Sequence, residues 1–151
     1  MNIDRNSIMR HISRVGDYVR EFADELKIRG QKHDMSKLDK DEFELLKELP
    51  DDYIYDYGSE EYKNMLEKIR PVTSIHNKKN SHHPEHYSNG IDDMDLYDVC
   101  EMFFDWKAAA DKQKNGNILE SLKVGKERFN MSDQLYNILK NTAERTWENK
   151  K

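Results

Sequence analysis

The chain is poor in the residues that would make it anything other than helical. Its 151 residues hold one cysteine, three prolines and six glycines. Cys100 alone excludes an internal disulfide and a thiolate-rich zinc site, and it fits a reducing compartment. So few glycines and prolines leave little room for a turn-dense sandwich or barrel. Valines and isoleucines are scattered at spacings of three and four, with no alternating run that reads as a strand. No apolar run approaches the length of a membrane span, and Met1 to Arg5 carries no apolar signal region, so the expected location is cytoplasmic and the expected partners include no membrane. A basic surplus is also missing. The net charge is −5, and the short basic groups at Lys78-Lys79, Lys123 to Arg128 and Lys150-Lys151 are flanked by acids or terminal, which excludes duplex nucleic acid as the expected partner. Charged and apolar residues each make up 36%, but the apolar ones recur at helical periods, so disorder is not expected.

What remains is an all-α chain, expected to form one compact helical bundle over residues 1–151. A first helix is expected from Asp4 to about Ile28, stopped by Gly30, with Ile8, Ile12, Val15, Val19, Phe22 and Leu26 turned inward. His11 lies along the edge of that stripe, as a core residue or as a ligand. A short second helix should carry His33-Asp34 and end near Leu38. Asp39 reads as an N-cap with Glu42 at the third helical position, opening a helix that buries Phe43, Leu46 and Leu49 and stops at Pro50. Residues 51–58 form a Tyr-rich loop, for packing over the core or for stacking a base. Ser59 caps the next helix, with Tyr62, Met65, Leu66 and Ile69 buried and a break or kink at Pro71. A further helix from Asp92 or Asp93 to about Asn115 is apolar over much of its girth through Leu96, Val99, Cys100, Phe103, Phe104, Trp106 and Ala110. Two short amphipathic helices follow, capped by Asn117, with Glu120 as its capping-box partner, and by Ser132, the last one buried through Leu135, Ile138, Leu139 and Thr142.

Three groups of residues carry chemistry. His33-Asp34 sets an imidazole beside a carboxylate, a donor pair suited to a divalent first-row metal, and Lys37 follows Asp34 by about one helical turn. A metal with an ammonium beside it suits an anionic phosphoryl group. Four of the six histidines fall within eleven residues, at His76, His82, His83 and His86, a density that points to at least two imidazole ligands. Asp98, Glu101 and Asp105 share one narrow face of an otherwise apolar helix. That face looks either at solvent or at a site, since buried carboxylates persist when paired or bound to a metal.

In this order, His11, His33-Asp34, His76, His82-His83 and Asp105 resemble the HD superfamily of metal-dependent phosphohydrolases. His33-Asp34-x-Ser36-Lys37 is similar to its His-Asp-x-Gly-Lys segment, with Ser36 in place of Gly. His82-His83-Pro84-Glu85 followed by Asn89-Gly90 is similar to a stretch of the HD-GYP branch, whose Gly-Tyr-Pro signature is absent here. The whole sequence also resembles a small, functionally unassigned family of phage and bacterial HD-like proteins. The resemblance covers residues 11–110 and implies an HD-domain-like bundle holding one or two divalent ions, drawn from Mn, Fe, Co, Ni and Zn. It implies a first metal on His11, His33, Asp34 and Asp105, with Asp98 as the rival for the late Asp. Asp34 would bridge to a second on His76 and one or both of His82 and His83. Lys37 would contact phosphate, and Glu85 or Glu101 would move a proton. The expected function is hydrolysis of a nucleotide or another small phosphate ester. Two others stay open: a di-iron HD-type oxygenase, and a non-catalytic module of phage type that binds a nucleotide or a protein.

Overall fold

The computed structural model describes residues 4–47, 54–56 and 58–148. The chain is all-α. Among the described residues there is no strand, and the one β-bridge joins Asp56 to Lys114. None of the described helices is long and apolar enough to cross a membrane. The residues divide into two compact units, Met1–His33 and Asp34–Lys151.

The first unit is one helix, α1 (Arg5–Lys32), opened by Asp4, whose carboxylate accepts from the Asn6 amide. It runs straight through Gly30. A glycine costs a helix only about 1 kcal/mol relative to alanine, and the 28 residues of α1 accommodate both Gly16 and Gly30. None of its residues is buried. Ile8, Ile12, Val15 and Val19, expected inside, are exposed, and so is His11. A 3.6-residue period marks the face that seeks an apolar partner, and within this unit α1 is the one described helix.

The second unit opens with Asp34 in the left-handed region (φ 58°) and a 3₁₀ turn over Met35–Leu38, where a continuous helix through His33-Asp34 was expected. α2 (Lys40–Leu46) follows Asp39, whose side chain makes no capping bond. Glu42 is instead fully buried and Phe43 exposed. Leu49, Pro50 and most of the Tyr-rich loop lie outside the described residues. α3 (Glu60–Lys79) is capped by Ser59 Oγ on the Tyr62 amide and continues through Pro71 without a break. The proline forgoes one backbone bond, while Met65, Val72 and His76 stay in one helical register and are all buried; Leu66 is exposed. Two 3₁₀ turns, Pro84–His86 and Gly90–Asp93, lead to α4 (Leu96–Lys112). α5 (Ile118–Arg128) and α6 (Asp133–Ala143) follow, then a π-turn over Glu144–Glu148.

The core of this unit lies between α4, α5 and α6. Val99, Met102 and Phe103 meet Ile118 and Leu122, with Met131, Leu139 and Ala143 behind them. Met102, Ile118 and Leu122 are wholly buried, each worth about 1.5–3 kcal/mol of transfer free energy. α5 comes so close to α4 that a Cβ on Gly125 would sit 2.3 Å from the Trp106 ring. Leu96, Phe104 and Ile138, expected inside, are exposed, so the buried side of α4 is narrower than its composition suggests. Asn117 caps α5 through the Leu119 amide, while Glu120 pairs with Lys123 in place of a capping box. The α4–α5–α6 core anchors α4, whose opposite side carries Asp98, Glu101 and Asp105.

Candidate metal centre

Two capped helices and one clasped loop bring the chemistry together. His76 stands in the last turn of α3, on the stripe of Met65 and Val72. His82 and His83 lie in the loop that follows, where Pro84 starts the next turn. Asp98 holds that loop against the start of α4. Its buried carboxylate accepts from Ser81 Oγ at 2.7 Å and from Tyr87 Oη at 2.6 Å, and it closes a reciprocal capping box with Asp95. Burial, with the Asp98 carboxylate as hydrogen-bond acceptor, pushes the Tyr87 hydroxyl up to about 12.

Asp34, His76, His82 and His83 each offer a ligand atom, and these atoms lie within 4.8 Å of one another. Asp34 Oδ1 is 2.9 Å from His76 Nε2 and 3.4 Å from His82 Nε2. The other edge of each ring faces a second carboxylate: His76 Nδ1 is 2.8 Å from Glu42 Oε2, and His82 Nδ1 is 3.2 Å from Glu101 Oε1. An ionised carboxylate only accepts, so a ring whose Nδ1 carries the proton donates it to its Glu and leaves Nε2 facing Asp34. A neutral imidazole then aims a lone pair at a carboxylate oxygen. Such an arrangement is stable with a proton or a cation between the two atoms. Imidazole held at Nδ1 by a carboxylate is the arrangement found behind metal-bound histidine.

His83 completes the set. Its ring lies 4.2 Å from that of His82 and 5.0 Å from that of His76, centroid to centroid. Its Nε2 is buried and has no hydrogen-bond partner among the described residues. Burial above all holds its imidazole down at about 3, against the pull of Asp105 and Asp34. Asp105 brings a carboxylate oxygen to within 4.8 Å of one of Asp34. Three imidazoles and two carboxylates with no thiolate fit a first-row divalent ion.

Of the other expected site residues, Lys37 donates to Asp34 Oδ2, and its side chain is 43% exposed. Glu101 stands behind His82. Glu85 receives Arg128 Nη2 at 2.7 Å and is in none of the His–carboxylate groups among the described residues that could hold an ion. His86 uses Nδ1 on the Lys78 carbonyl. His11 and His33 belong to the first unit, where His11 lies exposed and His33 is the C-cap of α1. The centre described here is built wholly from the second unit.

Glu42 was missed by sequence reasoning. Its position three residues after Asp39 reads as a cap, and nothing in the order of residues joins it to His76, 34 places on. Burial raises its carboxyl, but hydrogen bonds from His76 and Lys79, with Ser36, outweigh this and leave it below its usual value. Ser36 Oγ lies 3.2 Å from Glu42 Oε2, and Asn80 Nδ2 donates to Ser36 Oγ at 2.9 Å.

The chain matches the model of a family over residues 3–145 and belongs to it; the family is described as a family of unknown function, DUF5662. No curated protein and no solved structure matches it.

Proposed function

We propose that this member of a family without an assigned activity is an HD-type, metal-dependent phosphohydrolase acting on a nucleotide or another small phosphate ester. The observation that carries the reading is the convergence of His76 Nε2, His82 Nε2 and Asp34 Oδ1, with both rings backed by carboxylates. Asp34, His76, His82 and His83 would hold the ion, with Asp105 beside them. An ion held there would supply Lewis acidity, the means by which a metal site lowers the pKa of water and polarises a phosphoryl oxygen. The chain's own residues do the rest. Lys37, paired with Asp34 on a partly exposed side chain, would offset negative charge on the phosphoryl group. Glu101 keeps the His82 ring oriented. A net charge of −5 and basic side chains already paired with acids on α5 favour a small substrate over a long nucleic acid. The single Cys100 is in keeping with a cytoplasmic setting.

The test has two stages. Elemental analysis of the purified protein, with thermal shifts on adding Mn, Fe, Co, Ni or Zn, should give at least one ion per chain. The metal-replete protein should then release phosphate or a monophosphate from a panel of nucleotides, cyclic dinucleotides and simple esters. Absence of any bound ion sinks the site. Binding without turnover of the panel moves the reading to a ligand-binding module. Oxygen consumption with an iron-dependent optical band moves it to an oxygenase.

A further inference from the structure

The polar cluster behind His76 has no place in the reaction as proposed, yet it is the most deeply buried charge in the described chain. Glu42 is 0% exposed. A carboxylate is kept out of water only where partners replace its hydration. His76 Nδ1 at 2.8 Å and Ser36 Oγ at 3.2 Å do so at Oε2, while Oε1, without a hydrogen bond among the described residues, faces the Lys79 ammonium at 3.3 Å as an ion pair. Lys79 is itself anchored by Asp41 at 2.6 Å.

Counting protons defines the arrangement. Asn80 Nδ2 has two protons and lies 2.9 Å from Ser36 Oγ, 2.8 Å from the His76 carbonyl and 3.0 Å from His76 Nδ1; given to the first two, they leave none for Nδ1. Ser36 Oγ, with a lone pair taken by Asn80, has its own proton for Glu42 Oε2. Its other neighbour is His76 Nδ1 at 3.2 Å. If Ser36 donated there instead, the Nδ1 lone pair would face the Glu42 carboxylate at 2.8 Å, acceptor against acceptor. The favourable arrangement runs from Asn80 to Ser36 to Glu42, with the His76 Nδ1 proton also on Glu42.

We infer that Glu42, held by Ser36 and Lys79, is the positioning residue that keeps the proton of His76 on Nδ1 and its Nε2 open to a metal ion. Ser36, where the HD-type segment has glycine, then supplies a hydroxyl that glycine lacks. The inference rests on the proposed metal centre and concerns a residue that touches neither ion nor substrate.

The experiment is a competitive chelator titration with zinc on the full chain, paired with the proton–nitrogen spectrum of the zinc-loaded protein. Wild type should show a hydrogen-bonded Nδ1 proton on His76. Glu42→Gln, which keeps the shape and removes the charge, should weaken zinc binding by roughly ten- to a hundredfold and shift or erase that signal. Ser36→Ala should act in the same direction, by about tenfold, and it keeps the question answerable if Glu42→Gln fails to fold. Asp41→Asn, one step further from the ring, should leave the signal in place. Wild-type zinc affinity and an unchanged His76 signal in Glu42→Gln, or in Ser36→Ala if only that variant folds, would overturn the positioning role alone. A wild type that binds no zinc or other divalent ion overturns the centre and this inference with it.

Discussion

Asp98 and Asp105 are the same residue type, two turns apart on α4, and their surroundings give them different work. Asp98 accepts from Ser81, Tyr87 and the Asp95 amide, so its oxygens are spent on holding the loop. Asp98→Ala should lower stability by about 1–3 kcal/mol, the cost of stranding buried donors, as read by denaturant unfolding. Asp105→Ala should keep stability and the helical circular-dichroism signal while lowering metal occupancy. The reverse pattern would make Asp98 the ligand. Lys37 separates metal from substrate, because an ammonium is no metal ligand. Lys37→Ala should leave metal content unchanged and cost about 1.5–3 kcal/mol of transition-state stabilisation, roughly ten- to a hundredfold in kcat/KM. Equal rates for the variant and wild type would remove Lys37 from the mechanism and leave the centre standing.

At the scale of elements, the core depends on how closely α5 approaches α4. The Trp106 ring stacks on Phe129 at 5.9 Å and covers Gly125, so one methyl group there has no space. Gly125→Ala should destabilise the protein by about 1–3 kcal/mol despite the better helix propensity of alanine, since overpacking against a rigid ring outweighs a gain of about 1 kcal/mol. A rise in thermal midpoint would show that the two helices can part at little cost. The same contrast between local preference and packing appears in α3. Pro71 is a helix breaker by local rule, yet α3 continues through it and keeps His76 in register with the buried Val72.

For the molecule as a whole, the Tyr87–Asp98 clasp predicts a response to alkali. The Tyr87 hydroxyl is raised from about 10 to about 12. A raised folded-state value means that the folded chain holds the proton more tightly than the unfolded one. The contribution is therefore complete below pH 10 and is lost as pH rises from 10 towards 12. Unfolding followed across that range should show a decline in stability that Tyr87→Phe largely removes. A decline of the same steepness in the variant would assign it to other groups.

The sequence by itself determined that the chain is all-α, which helices Asp4, Ser59, Asn117 and Ser132 would open, and that imidazoles cluster near residue 80. Caps and periods act over three or four residues, so the order of residues contains them. Tertiary structure decided what is coupled across the chain. Asp98 and Glu101 differ by one turn of α4, and only the loop packed against that helix makes one a clasp and the other the support of His82. Glu42 looked like a capping residue because its neighbours allow it. Burial beside His76 comes from α2 packing on α3, a contact between residues 34 places apart that no local pattern specifies. The exposed face of α1 teaches the converse: hydrophobic periodicity reports which side of a helix seeks cover, and only a packed neighbour can supply it.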